Sequence, residues 1–215
     1  MPHYFDISPL ISPELAVFPG DTPFERLIAM DFDRGDHLGL SSIRGTVHLG
    51  AHTDAPNHYD PNGVGMDGVD PTLYLGRCQV FRVACASGAR ICAKDFALDR
   101  VNCARVLFAT GSFPDPNQWN DDFNSLEPNL IQALYDKGVR LVGIDTPSID
   151  PATSKALESH QKVKDLGMGI LEGVVLQDVS PGAYILSALP LKIKDADASP
   201  VRALLFPADS DWRTW

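Results

Sequence analysis

The even spread of chain-breaking residues narrows the possible folds of this chain more than any other feature. Seventeen glycines and seventeen prolines are distributed along 215 residues. Because both residue types interrupt regular backbone structure and mark turns, this distribution predicts many turns between short elements.

Segments with the character of β-strands outnumber the helical ones. They share β-branched or continuous apolar residues and lie between turn residues. The predicted strands cover residues 41–49, 75–86, 104–110, 140–145, 169–176, 183–193 and 199–206.

Two helices are also predicted. The first is an amphipathic helix within residues 126–139. The second begins at Pro151, with Asp150 as its N-cap, and stops at Gly167. We therefore expect an α/β fold with a strand-rich core, formed by a single domain over residues 1–215.

The overall charge and the cysteines exclude several classes of protein. The formal net charge is -10, and no cluster of Lys and Arg could neutralise phosphates, so we expect no nucleic-acid partner. We expect no membrane partner, because no apolar run approaches the roughly 18 residues of a membrane helix and no signal-peptide pattern is present. The four cysteines lack CxxC spacing, and we expect a cytoplasmic protein with reduced thiols.

Three of the six histidines lie in one short segment, residues 47–60, which also contains Asp54. Gly50 argues against a helix there. In an extended strand, His48, His52, Asp54 and His58 would leave from the same face, because residues of equal parity share a face. Imidazoles and a carboxylate converging in this way favour a divalent metal site over a solvated polar face.

Two distant residues add to this pattern. Glu172 lies within the apolar segment 169–176, where a carboxylate is costly unless it is paired or binds a cation. His160 is predicted near the inward face of the second helix. Alone, each has a structural explanation, but a metal site explains both. Five ligand-type residues exceed the three protein ligands of a mononuclear catalytic zinc, which indicates two metals and leaves His58 for proton transfer.

The histidine segment resembles the signature HxGTHxDxPxH of the cyclase/metal-dependent hydrolase family. It stands here as HLGAHTDAPNH, with Ala51 in place of Thr. Within the family, the chain most resembles the kynurenine formamidase branch, through FPGDTP from Phe18, GIDTPSIDP from Gly143, ILEGVVL around Glu172 and DASPVRALL from Asp197. The resemblance covers nearly the whole chain.

The resemblance implies a swivelling β/β/α fold and a homodimer whose N-terminal segments help close the neighbouring pocket. It also implies a two-zinc centre with five ligands: His48, His52, Asp54, His160 and Glu172. Asp54 would serve both metal ions, and His58 would be the general acid/base. Phe18 would contact the substrate, at a position where this branch usually has Trp.

The activity implied by this branch is hydrolysis of N-formyl-L-kynurenine to L-kynurenine and formate in tryptophan catabolism, with a metal-activated water attacking the formyl carbon. Phe18 leaves open a second substrate class, the cyclic or other aryl amides that isatin hydrolases of the family act on. A third possibility is a non-haem iron oxygenase, since His52, Asp54 and His160 also form an HxD…H pattern. A fourth is a non-catalytic metal-binding module, against which the surplus His58 argues.

Overall fold

The protein, described here over residues 4–209 by a computed structural model, is built around one mixed β-sheet. The strands of the described residues are β1 (Phe5–Asp6), β2 (Glu25–Met30), β3 (Leu40–Arg44), β4 (His52–Asp54), β5 (Leu75–Arg82), β6 (Arg90–Ile91), β7 (Arg105–Ala109), β8 (Ser125–Leu126), β9 (Leu141–Ile144), β10 (Gly169–Leu171), β11 (Gly182–Ser187), β12 (Ala198–Pro200) and β13 (Leu204–Pro207). Two α-helices accompany them, α1 (Pro128–Asp136) and α2 (Glu158–Leu166). The predicted α/β fold with a strand-rich core is confirmed. The ends of the predicted domain, residues 1–3 and 210–215, lie outside the described residues.

The main sheet has seven strands in the order β1-β13-β11-β5-β7-β9-β10. The half from β5 to β10 is parallel, and the half from β5 to β1 is antiparallel. Three two-stranded pairs lie outside it, β12 with β4, β2 with β3, and β6 with β8. Since parallel strands end at the same edge, the residues that follow β5, β7, β9 and β10 meet on one side of the molecule.

At β7, β9 and β10 both faces of the sheet are buried, and β7 shows why its sequence is continuously apolar. Leu107 packs into one core cluster, while its neighbours Val106 and Phe108 pack into another that includes residues of both helices. Alternate residues of a strand point to opposite faces, so a strand covered on both sides needs apolar residues at every position. Within residues 4–209, no helix is both long enough and apolar enough to cross a membrane.

The second helix starts later than predicted. It begins at Glu158 rather than Pro151, and Leu157 precedes it with a left-handed φ of 49°. The Asp150 carboxylate nevertheless caps the helix, because it accepts hydrogen bonds from the amides of Ser159 and His160 at 3.0 and 3.1 Å. The cap thus acts across a loop instead of on the next residue, which is why the start was misplaced.

The extended strand predicted through residues 48–58 is wrong for most of its length. Strand β4 covers only His52–Asp54. Gly50, with a φ of 60°, turns the chain before the strand, and Pro56 opens a short 3₁₀ turn after it. The shared strand face therefore accounts for His52 and Asp54, whereas other backbone conformations bring the remaining histidines of this segment to the site.

Other strands are shorter than their apolar sequences predicted. Strand β10 ends at Leu171, so Glu172 follows the strand instead of lying within it. The segment 199–206 forms two strands, β12 and β13, that belong to different sheets. Apolar runs predict burial, and buried loop residues satisfy that pattern as well as strand residues do.

Candidate metal centre and substrate cavity

The five predicted ligands come together in two overlapping groups. In one group, ligand atoms of His48, His52 and Asp54 lie within 4.8 Å of one another, and in the other those of Asp54, His160 and Glu172 do so. Asp54 belongs to both. The structure therefore brings all five residues to one place, with Asp54 between two potential metal positions.

A pair of backbone hydrogen bonds joins the two halves of this cluster. The His52 amide donates to the Glu172 carbonyl at 3.1 Å, and the Glu172 amide donates to the His52 carbonyl at 2.9 Å. This isolated bridge lies where β4 meets the end of β10. His160 reaches the same place from the first turn of α2.

Asp54, which belongs to both groups, is buried, with 3% of its surface exposed. Its Oδ1 lies 3.1 Å from His48 Nδ1, and its Oδ2 lies 3.2 Å from His160 Nε2. Among the described residues, no group donates a hydrogen bond to either oxygen in regular geometry. Because a buried, unsatisfied carboxylate is strongly unfavourable, these two oxygens fit a carboxylate that bridges cations.

The three histidines of the cluster are each held by the nitrogen that points away from it. His48 Nε2 lies 2.9 Å from Asp197 Oδ2, and His160 Nδ1 lies 2.8 Å from Asp150 Oδ2. His52 Nδ1 lies 2.9 Å from a backbone carbonyl. With a proton on each outer nitrogen, the lone pairs of the inner nitrogens face the centre. Metal-ligating histidines are oriented in this way.

Glu172 is also held in place by the surrounding backbone. Its Oε1 accepts a hydrogen bond from the Ile149 amide at 2.6 Å, and its Oε2 lies 3.2 Å from His52 Nε2. The side chain is buried. The donor set of three imidazoles and two carboxylates, each oriented by its surroundings, fits divalent metal ions such as zinc.

The carboxylates make the centre favourable for positive charge. Burial acts to lower the pKa of His48, but Asp54 and Asp197 outweigh it and raise that pKa to about 9. Burial is likewise outweighed at His160, where Asp150 and Asp54 raise the pKa to about 10. Protons and metal ions compete for such nitrogens, so metal binding at this centre releases protons.

His58 has the opposite electrostatic environment. Burial is the largest cause lowering its pKa, and charges on His48 and His160 lower it further, against the attraction of Asp54. Its Nδ1 lies 3.7 Å from Asp197 Oδ2, beyond hydrogen-bond distance. A neutral imidazole beside the ligand cluster can accept a proton, which is compatible with the role predicted for His58.

A cavity of about 590 Å³ opens onto the cluster. Its walls include the three cluster histidines, His58 and Glu172, and the predicted substrate contact Phe18 lines it as well. Phe18 is 44% exposed and packs edge-on against Trp119, with ring centroids 5.0 Å apart. The cavity therefore combines polar, metal-binding groups with an aromatic wall, as small-molecule sites commonly do.

Sequence reasoning missed three side chains of this region. Asp150 was predicted only as a helix cap, and the roles of Asp197 and Trp119 were not predicted. Asp197 lies far along the chain from the histidine segment, and β12 brings it there by pairing with β4. Its one sequence signal was its position in the segment DASPVRALL, which contributed to the family resemblance.

A family model described as putative cyclase matches residues 5–151. The chain belongs to the cyclase family. The matched range contains His48, His52, Asp54 and His58, and it ends before His160 and Glu172.

Solved structures of related proteins agree with this membership. A potential metal-dependent hydrolase with cyclase activity is 27% identical, with a TM-score of 0.82 over 96% of this chain and 98% of that one. A predicted metal-dependent hydrolase from Bacillus stearothermophilus is 27% identical, with a TM-score of 0.80 over 94% and 97%. Isatin hydrolase A from Labrenzia aggregata, at 21% identity and a TM-score of 0.76 over 96% and 94%, shares the fold. The chain thus has the single-domain fold of the metal-dependent hydrolases of the cyclase family.

Proposed function

We propose that this cyclase-family protein is a metal-dependent hydrolase of N-formyl-L-kynurenine, which it converts to L-kynurenine and formate. One observation carries the proposal: four of the five ligand-type side chains, His48, His52, His160 and Glu172, line the same cavity as the aromatic pair Phe18 and Trp119. A metal centre next to aromatic rings suits an aryl amide, whose reacting bond is directly attached to a ring.

Two zinc ions per subunit are the proposed cofactors. His48, His52 and Asp54 would hold one ion, and Asp54 would share the other with His160 and Glu172. When bound, such ions lower the pKa of water to about 7 and polarise a carbonyl oxygen. Asp197 and Asp150 hold the outer nitrogens of their histidines, so the ligand geometry is set before a metal arrives.

His58 is the proposed proton carrier. Its lowered pKa keeps the ring neutral near pH 7, so it can take a proton from the attacking water. It then donates that proton to the aniline nitrogen as the bond between this nitrogen and the formyl carbon breaks. The products are the free aryl amine and formic acid, which releases its proton to solvent and leaves as formate, and the neutral imidazole is restored.

The substrate assignment is tested by formate release. Metal-stripped and zinc-restored protein are incubated with N-formyl-L-kynurenine, and isatin opening is followed in parallel. We expect formate only from the zinc-restored protein, with two zinc ions per chain by elemental analysis. Preferential hydrolysis of isatin would move the substrate to cyclic amides, and the absence of either activity in both forms would reject the proposal.

The proposed assembly is a homodimer formed through the β2–β3 hairpin. Every strand residue of this hairpin except Met30 is exposed, including Leu27, Leu40 and Ile43, the last at 75%. An isolated two-stranded hairpin is marginally stable, and exposed apolar residues on it favour burial against another surface. A second copy of this chain is the proposed cover.

Light scattering during size-exclusion chromatography tests the dimer. We expect the wild-type protein to have twice the mass of the chain and Ile43→Lys to shift it toward the monomer. Val64→Lys, which places the same charge at another exposed apolar position, is the matched control. A monomeric wild type, or a dimer unaffected by charge at Ile43, would reject the hairpin interface.

A further inference from the structure

Arg82 lies at the edge of the sheet where the cavity is built. It is the last residue of β5, and it lines the same cavity as the metal-binding side chains. Asp145 and Glu172, which follow β9 and β10, line that cavity too. Because the carboxyl ends of parallel strands form ligand sites, Arg82 occupies a position from which side chains contact ligands.

The guanidinium group is fixed by the chain that follows the metal centre. Its Nη2 donates to the carbonyls of Leu176, Gln177 and Val179 at 3.4, 3.2 and 3.2 Å. Leu176 follows Glu172 by four residues, a span of at most about 14 Å. The positive group is therefore tied to the segment that follows Glu172, and both residues line the cavity.

The remaining donors of Arg82 have no protein partner in the described part of the chain. No carboxylate there lies within 4.0 Å of the guanidinium, and neither Nε nor Nη1 donates a hydrogen bond. Arg90, by contrast, pairs with Asp150 at 2.9 Å, and Arg202 pairs with Asp6 at 2.8 Å. Among residues 4–209, no other Lys or Arg lines the cavity. In a chain with a net charge of -10, an unpaired cation facing a cavity favours an anionic ligand.

We propose that Arg82 binds a carboxylate on the side chain of the substrate and so selects anionic aryl formamides over neutral ones. This inference rests on the proposed function. In N-formyl-L-kynurenine, an aromatic ring and a short side chain separate the formyl group from the carboxylate, which matches a cavity lined by both the ligand-type side chains and Arg82. A guanidinium can donate two hydrogen bonds to one carboxylate from either of two pairs of nitrogens, Nη1 with Nη2 or Nε with Nη2. Both pairs include Nη2, which already donates to backbone carbonyls. The carboxylate is therefore bound through Nη1 or Nε, with the charge as the main attraction.

A matched pair of substrates tests this role. The acid 4-(2-formamidophenyl)-4-oxobutanoate and its methyl ester have the same reacting group and differ in the charge of the side chain. For Arg82→Gln we expect KM for the acid to rise roughly 10-fold, the loss of one charged hydrogen bond, while the ester changes little and kcat for both is kept. Arg82→Lys restores part of the preference. Arg202→Gln, a substitution outside the cavity wall, leaves both substrates unchanged.

An equal loss for acid and ester would overturn the inference, because it would show that Arg82 only ties down the 176–179 loop. A calorimetric titration of zinc-loaded protein with the product 4-(2-aminophenyl)-4-oxobutanoate and with its ester gives a second readout without turnover. We expect the acid to bind more tightly to the wild type, and Arg82→Gln to remove that difference. Equal affinities in the wild type would overturn the role of Arg82. If the protein does not hydrolyse either substrate but still binds the acid more tightly than the ester, the proposed function is rejected and the role of Arg82 is kept.

Discussion

The histidines of this centre have two different environments. They differ in whether the ring nitrogen that faces away from the cluster is held by a neighbouring oxygen. In His48, His52 and His160 that nitrogen lies 2.8–2.9 Å from a carboxylate or carbonyl oxygen, which fixes the ring. In His58 the nearest carboxylate, Asp197, is 3.7 Å away. The held rings suit ligation, which needs one fixed lone pair, whereas the less restrained ring suits proton transfer.

Replacing His58 therefore separates turnover from metal binding. For His58→Ala we expect kcat to fall roughly 10²- to 10⁴-fold, the usual contribution of a general acid/base, while zinc content stays near wild type. The measurement pairs formate release with elemental analysis. His37→Ala removes an exposed histidine outside the cluster and serves as the control. Full activity in the His58 variant would remove this residue from the mechanism.

Single residues were predictable where their chemical type was unusual for their surroundings. A carboxylate at Glu172 among apolar residues and a histidine at His160 on an apolar helix face were such cases, and both lie in the cluster. Asp197 and Arg82 were not predictable in this way. Each is an ordinary charged residue in its own segment, and only pairing with distant strands gives it a place in the site.

Gly173 shows how closely two elements approach each other at the centre. It follows Glu172 with a φ of 65°, and a Cβ added there would lie 2.2 Å from the Gly50 carbonyl oxygen. The segment after β10 therefore passes directly against the turn before β4. A side chain at this position would push apart the two segments that carry the ligands.

We expect Gly173→Ala to lower the free energy of unfolding by at least about 3 kcal/mol and to weaken zinc binding. The left-handed conformation and the backbone clash both act against the new side chain. Gly138→Ala is the matched control. Gly138 also has a positive φ, of 92°, but the space around it is open. Its replacement should therefore lower the free energy of unfolding by only about 1 kcal/mol, from the backbone conformation alone. Denaturant unfolding and calorimetric zinc titration measure both effects. Equal losses in the two variants would show that the close approach to Gly50 is unimportant.

Helix α2 depends on a carboxylate supplied from outside the helix. Burial acts to raise the pKa of Asp150, but hydrogen bonds from the His160 ring and from the amides of His160 and Ser159 lower it to about 2, from 3.8. A carboxyl whose pKa is lowered on folding stabilises the folded state fully above its unfolded pKa and loses that contribution as the pH falls toward the folded value.

In metal-free protein, the stability difference between wild type and Asp150→Asn should therefore be largest near pH 5 to 6 and shrink as the pH falls from about 4 toward 2. It should also shrink as the pH rises from about 6.5 toward 10, because Asp150 raises the pKa of His160 to about 10. Denaturant unfolding of both proteins across this range measures it. Asp99→Asn, a substitution of an exposed acid, is the control and should show no comparable change. A difference that persists unchanged to pH 2 would contradict the assigned role of the Asp150 carboxylate.

At the scale of the whole molecule, the sheet determines where the chemistry is located. Strands β5, β7, β9 and β10 end at one edge, and residues just beyond that edge line the cavity. The class of this fold was predictable, because apolar runs between turns recur along the chain. The strand order and the ends of the strands were not, since pairing between distant segments determines them and local patterns do not encode it.

Because the ligands come from separate segments, metal removal should destabilise the entire domain. At a zinc concentration about 1,000 times its dissociation constant, binding adds about 4 kcal/mol, which corresponds to roughly 10 °C in Tm for a chain of this size. Thermal unfolding before and after chelation, and after zinc is restored, measures the effect. In Asp54→Asn the shift should be largely absent. An unchanged wild-type Tm would contradict a metal that links these segments.

The backbone bridge between His52 and Glu172 has a further consequence for biosynthesis. Its two residues are far apart in the chain, so the bridge cannot form before the chain has been synthesised as far as Glu172. Before that moment the nascent chain has an isolated histidine motif but no complete binding site. Binding of the proposed metal ions would then distinguish chains that contain all five ligand-type residues in place from chains that do not.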